Sequence, residues 1–175
     1  MKNKDYALNI RKMFSEGDAK RDAGRATPAD VERFDNISYG CVNQKWQKLD
    51  VYRPKNLAGK LPVIVNIHGG GWVYGDKDVY QWYCISLAQR GFAVVNYSYR
   101  LAPEYQYPAS FEDTGAVAAW ILNHSEKYGF DTDHIFGVGD SAGGHMLALF
   151  AAAVSGTPHE LPYAFPKNFH FKAIA

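Results

Sequence analysis

The stretch Ile135-Phe136-Gly137-Val138-Gly139-Asp140-Ser141-Ala142-Gly143-Gly144 decides how this chain folds. Its first half reads as a strand buried on both faces, because its apolar residues run on without polar alternation. The Ala- and Leu-rich segment 142–154 reads as a helix. Between them, G-x-S-x-G marks a strand that must turn sharply into a helix, with Ser141 at the apex in strained backbone. The glycines two positions to either side approach too closely for a Cβ. Such a turn lifts the hydroxyl above the sheet edge. It also sets a helix N-terminus beneath it, where the dipole favours developing negative charge. The alternative is a glycine-rich turn carrying a bystander serine, since five loosely specified residues recur by chance.

Working outward, residues 62–67 (Pro-Val-Ile-Val-Asn-Ile) form a second buried strand and residues 92–97 a third. Helices are expected at 80–90, closed by Gly91, and at 109–128, closed by Gly129; residues 171–175 read as the start of one more strand. This alternation predicts an α/β fold with a doubly wound, mostly parallel sheet. Residues 34–41 and 45–53, joined by a turn near Val42-Asn43, read as an N-terminal antiparallel pair. At the N-terminus Tyr6, Ile10, Met13 and Phe14 share one face of a helix over 4–14 that Gly17 stops; 18–30 and 155–169 read as loops.

Open α/β sheets place chemistry at the carboxyl ends of their strands. There, His68-Gly69-Gly70-Gly71-Trp72 follows the 62–67 strand. Three glycines can turn their amides toward a ligand with no side chain in the way, which suits an oxyanion. A flexible loop or a phosphate cradle would read similarly, but the Lys-Ser/Thr ending of a P-loop and the full G-x-G-x-x-G spacing are absent. His68 is expected to orient this loop rather than act as a base. Trp72, Tyr74, Trp82 and Tyr83 are expected mostly to pack rather than to line a pocket.

Composition bounds the rest. The 175 residues suit one domain, and 47% apolar content allows a real core. Lys and Arg number 19 against 18 Asp and Glu, which gives no electrostatic case for nucleic acid or an anionic membrane. Cys41 and Cys84 match no metal or redox spacing and are expected to be buried free thiols. With no apolar h-region behind Met1 and no run of spanning length, a soluble, cytoplasmic protein is the default expectation.

A third motif, Tyr99-Arg100-Leu101-Ala102-Pro103-Glu104, follows the 92–97 strand. HGGGW, YRLAPE and GDSAGG, in that order, resemble the hormone-sensitive-lipase-like carboxylesterases of the α/β-hydrolase fold. Tyr107-Pro108 and Glu112-Asp113 extend the likeness, which covers about residues 50–149. The resemblance implies residues 1–30 as an N-terminal cap segment and 31–175 as the N-terminal part of the hydrolase domain. It implies Ser141 as the nucleophile and the amides of Gly70, Gly71 and Ala142 as the oxyanion hole. His68, Gly69, Trp72 and Asp140 would support that loop. It further implies a small-molecule, short-chain acyl ester as partner and neither metal nor cofactor; homo-oligomerisation stays open. Where the family usually has Asn after GDSAGG, this chain has His145, which is expected to cap or pack. Arylformamidases share the glycine loop and serine elbow, and non-catalytic receptors such as the plant gibberellin receptors share the scaffold; YRLAPE favours the ester hydrolases.

In this fold an acid and then a histidine follow the serine along the chain. The 34 residues after Ser141 hold no Asp, one acid (Glu160) and three histidines: His145, His159 and His170. Glu160 and His170 have the right order but precede the next strand. The triad acid and histidine are therefore expected beyond Ala175. A piece ending there is expected to have little esterase activity of its own and an unpaired, association-prone sheet edge.

Overall fold

The computed structural model describes residues 2–41, 45–156 and 165–175. Val42-Asn43, Glu160 and His159 lie outside the described residues. The elements are α1 (Lys2–Asp22), β1 (Val31–Ser38), β2 (Lys48–Pro54), β3 (Leu61–Ile67), α2 (Lys77–Ala88), β4 (Ala93–Tyr97), α3 (Ala109–Asn123), α4 (Ser125–Tyr128), β5 (Phe130–Gly139), α5 (Ala142–Val154) and β6 (Ala173–Ile174).

The strands form one sheet in the order β1-β2-β4-β3-β5-β6. β1 pairs antiparallel with β2, and β2 antiparallel with β4; from β4 across to β6 every pair is parallel. The mixed sheet is thus the one expected: antiparallel at its N-terminal edge, parallel where the chemistry sits. Burial of both faces of β3 explains its unbroken apolar sequence. Val63, Val65 and Ile67 face a core shared with Phe111, Phe150 and Phe169, whereas Ile64 joins Tyr52, Val94, Cys84 and Ile85 under α2. Burying each such aliphatic or aromatic side chain stabilises by about 1.5–3 kcal/mol. Helices therefore cover both faces, and the crossovers bring the ends of β3, β4 and β5 to one rim.

Several boundaries differ from the expected ones. Gly17 does not stop α1, which runs to Asp22. One helical glycine costs only about 1 kcal/mol, and Arg21 pairs with Asp18 one turn below it at 2.8 Å. The left-handed Gly24 (φ 76°) follows where the helix has ended. The 109–128 helix is two. It breaks at His124, whose amide and Nδ1 both reach the Trp120 carbonyl, at 3.0 and 2.8 Å, while its ring stacks on Trp120. β5 begins at Phe130, not at Ile135, because Leu61 and Pro62 pair with Phe130 and Asp131 before the register shifts. Cys84 is buried, but Cys41 is exposed, so only one of the two thiols sits where both were expected.

Candidate active site

At the end of β5 the backbone reverses at Ser141 with φ 49° and ψ −118°, a left-handed φ that a side chain adopts only under strain. The glycines make that turn possible. A Cβ at Gly139 would lie 2.8 Å from the Gly143 carbonyl carbon, and one at Gly143 would lie 2.0 Å from the Ile67 carbonyl oxygen. The second contact wedges the elbow against the end of β3, so the two motifs share a packing surface. The Asp140 carbonyl accepts from Gly143 N at 2.8 Å and Gly144 N at 3.2 Å, and the Ser141 carbonyl accepts from His145 N at 3.0 Å. These bonds start α5 directly under the hydroxyl. Ser141 is exposed, and its side chain does not cap the helix.

The glycine loop leaves β3 through His68, which is fully buried. Its ring stacks on Tyr99 (centroids 4.0 Å apart, planes 5° apart), and its carbonyl accepts from the Tyr99 hydroxyl at 2.8 Å. Nδ1 lies 2.8 Å from the Gly69 carbonyl and so carries the proton, while Nε2 has no partner among the described residues. Burial pushes the His68 pKa down to about 4, which keeps the ring neutral. Gly69 N–H donates to Asp140 Oδ1 at 3.0 Å and to the Tyr80 hydroxyl at 3.2 Å. A Cβ at Gly69 would press on Asp140, and one at Gly70 (φ 112°) would lie 2.1 Å from the Tyr74 carbonyl oxygen. The Gly70 carbonyl accepts from Val73 and Tyr74 N–H, which folds the loop back on itself. Among the described residues no acceptor occupies the amides of Gly70, Gly71 or Ala142.

The third motif braces this rim. Besides the Tyr99–His68 stack, Arg100 is held by the buried Asp113 through its backbone N (2.8 Å) and its guanidinium, and by Glu112 at 3.0 Å. Ala102 N–H donates to the Trp72 carbonyl at 2.8 Å, joining the two loops.

Gly69, Gly70, Gly71, Asp140 and Ser141 floor one cavity of about 580 Å³, and α1 forms its opposite wall through Tyr6, Ile10, Met13, Phe14, Asp18 and Arg21. Trp72 and His145, edge to face at 5.5 Å, border a second cavity of about 270 Å³ toward Tyr105 and Tyr107. A somewhat larger hollow of about 630 Å³ lies behind Tyr80 and Asp140 and takes in neither Ser141 nor the glycine loop. The aromatics expected mostly to pack do so, Trp82 against the core under α2, Tyr74 against Phe14 and Trp72 against His145, and they also border these spaces: Trp72 the second cavity, Tyr74 the first, Trp82 and Tyr83 the hollow. His170 is exposed beyond the far end of α5 and borders neither cavity beside Ser141. Among the described residues no group of His, Cys, Asp and Glu is placed to hold a metal ion, and no helix is long and apolar enough to cross a membrane. Sequence reasoning missed Tyr80 and Arg11, because each meets the rim only through contacts between distant segments.

Against known proteins, the family model BD-FAE matches residues 49–174, a span that takes in all three motifs. The chain belongs to the BD-FAE family. Esterase LipI of Mycobacterium tuberculosis is 44% identical to this BD-FAE member over 93 residues, 53% of this chain and 29% of that protein. Arylacetamide deacetylase of Bos taurus is 42% identical over 118 residues, 60% of this chain and 30% of that protein. The crystal structure of Esterase B from Lactobacillus rhamnosis superposes with a TM-score of 0.87 at 32% identity, covering 99% of this chain and 57% of that one. These relatives place the chain among the hormone-sensitive-lipase-like α/β-hydrolases. It spans about a third of the length of those curated relatives and just over half of Esterase B.

Proposed function

We propose that this chain is the nucleophile-bearing part of a serine carboxylesterase acting on short-chain acyl esters such as acetyl esters. The observation that carries this reading is the exposed, strained Ser141 in one cavity with Gly70 and Gly71, whose amides have no acceptor among the described residues. In this reading the Ser141 oxygen attacks the ester carbonyl as a base removes its proton. The amides of Gly70, Gly71 and Ala142 hold the oxyanion, each worth about 10²–10³ in rate. The alcohol departs with the proton, and water then releases the acid from the acyl-enzyme. Wholly buried beneath the loop, with no hydrogen bond to Ser141 among the described residues and with burial disfavouring the imidazolium a base must become, His68 is unsuited to that role; with Asp140 and Gly69 it shapes the loop. An acid–histidine pair from elsewhere in the protein supplies the base. Residues 1–30 act as the cap and 31–175 as the nucleophile-bearing part of the hydrolase domain.

The names of the relatives, esterases and a deacetylase, support ester hydrolysis over a receptor role. The test, made on the full-length protein that supplies the acid–histidine pair, is covalent labelling by a fluorophosphonate together with p-nitrophenyl acetate hydrolysis, with Ser141→Ala as control. Both signals should vanish in the variant. Hydrolysis or labelling that survives Ser141→Ala, or a wild type that shows neither, overturns the reading.

A further inference from the structure

α1 covers the Ser141 cavity, yet Ala7 is its only buried residue among those described. Tyr6, Met13 and Phe14, which face the cavity, are all exposed. Apolar burial therefore contributes little to holding this helix down, and polar ties hold it instead. The Tyr74 hydroxyl donates to Asp18 at 2.6 Å, and Arg21 donates to the Val79 carbonyl at 2.7 Å. Arg11 makes the widest tie. Its Nε donates to the Val73 carbonyl at 2.7 Å and its Nη2 to the Ala102 carbonyl at 2.9 Å. The same guanidinium grips both oxygens of Glu104, at 2.9 and 2.7 Å. One side chain thus fastens α1 at once to the loop that follows the three glycines and to the loop that ends YRLAPE.

We propose that Arg11 is a positioning residue that fixes the α1 wall over Ser141 and thereby sets the affinity for esters long enough to touch that wall. The proposal rests on the esterase reading and adds to it which part of the substrate α1 selects. An acetyl ester bound at Ser141 is too short to need Tyr6, Ile10, Met13 or Phe14. A longer acyl chain would lie against them and gain from their being held in place. A planar fork suits this position, because one guanidinium satisfies two carbonyls and a carboxylate, which an ammonium cannot match. Arg11 in turn holds the Glu104 carboxyl down to about 2, so the tie stays charged across the neutral range. Glu104 is about half exposed, so added salt should loosen the tie.

The experiment compares the full-length protein, which carries the acid–histidine pair, with its Arg11→Met, Arg11→Lys and Glu104→Gln variants on p-nitrophenyl acetate and p-nitrophenyl hexanoate, with hydrogen exchange of the α1 amides in parallel. Arg11→Met should raise KM for the hexanoate about 3- to 10-fold, the size expected for a partly exposed charge-assisted contact. KM for the acetate and kcat for both esters should move less than about twofold by the same reasoning. The α1 amides should exchange faster, Arg11→Lys should recover part of the effect, and molar NaCl should raise the wild-type hexanoate KM but not that of Arg11→Met. Equal changes on both esters, a fall in kcat alone, or unchanged exchange would overturn the proposal. If Arg11→Met does not fold, Glu104→Gln and the salt series decide by the same readouts. If the wild type hydrolyses neither ester the esterase reading fails, and the exchange arm still decides whether Arg11 holds α1.

Discussion

Gly143 packs on the end of β3 so closely that a Cβ there would lie 2.0 Å from the Ile67 carbonyl oxygen and 2.7 Å from that of His68. Both contacts are to backbone, so no side chain can swing away to make room. Gly143→Ala should gain up to about 1 kcal/mol of helix propensity and lose more than that to the clash. Since α5 and the glycine loop must part to admit the methyl group, fluorophosphonate labelling of Ser141 should fall along with the urea midpoint. For the urea midpoint alone, Gly71→Ala is the control for crowding, because a Cβ there meets open space, although its φ of 61° still strains the backbone. A Gly143→Ala protein as stable and as reactive as wild type would contradict the wedge.

Asp140 supports the loop from the elbow side. Its Oδ1 accepts the Gly69 amide at 3.0 Å, and the Tyr80 hydroxyl shares that amide at 3.2 Å. Asp140→Ala should leave the Gly69 amide with Tyr80 alone, at a cost of about 1–3 kcal/mol for an under-satisfied buried donor. Asp140→Asn keeps an oxygen acceptor and should lie between the two. The rate of fluorophosphonate labelling should follow the order wild type, Asn, Ala. Equal rates for all three would mean the carboxylate does not organise the loop.

The sequence was informative wherever one local rule decided the outcome. β3 and α5 lie within a residue of where periodicity puts them, since each is framed by Pro, Gly or the elbow itself. It was least informative where a distant partner decides. The polar run Asp131 to His134 hides the start of β5, and only pairing of Phe130 with Leu61 reveals it. Gly17 looks like a stop because propensity is local, whereas the ties of Arg11 and Arg21 that hold α1 across it span 58 to 93 residues. At the rim, Ser141 and the glycines carry local signatures because backbone geometry demands them. Arg11 and Tyr80 carry none: a helical arginine or tyrosine looks the same whether it grips a loop or faces water.

His68 should make the fold acid-labile. Its folded pKa, near 4, lies below the ordinary value of 6.5. The unfolded chain therefore binds the proton first, and stability present above pH 6.5 is lost as pH falls from there to about 4. The full loss is about 3 kcal/mol for a wholly buried imidazole with no acceptor for a second N–H. Carboxylates titrate in the lower part of this window too, so the informative quantity is a difference. Urea midpoints at pH 7 and pH 4.5 should fall further apart for wild type than for His68→Asn. Equal pH dependence in both would mean that the ring is protonated in the fold.

Asp50 and Lys77 form an ion pair beneath α2 that no active-site reading requires. The Asp50 carboxylate is wholly buried; it accepts Lys77 Nζ at 3.1 Å, the Tyr52 hydroxyl at 2.9 Å and the Asn36 amide at 2.7 Å. Asn36 sits at φ 59° within the register shift of β1, so the carboxylate also pins that irregularity. Asp50→Ala should cost about 3–5 kcal/mol, because it strands a buried cation along with two donors. Lys77 still reaches Asp78 at 2.7 Å, and that contact should keep the cost toward the lower end. Adding Lys77→Met to Asp50→Ala should recover part of the loss, since the stranded charge is then gone. Chemical denaturation of the two single variants and the double variant measures the coupling, and strictly additive losses would show that the pair contributes nothing beyond its separate contacts.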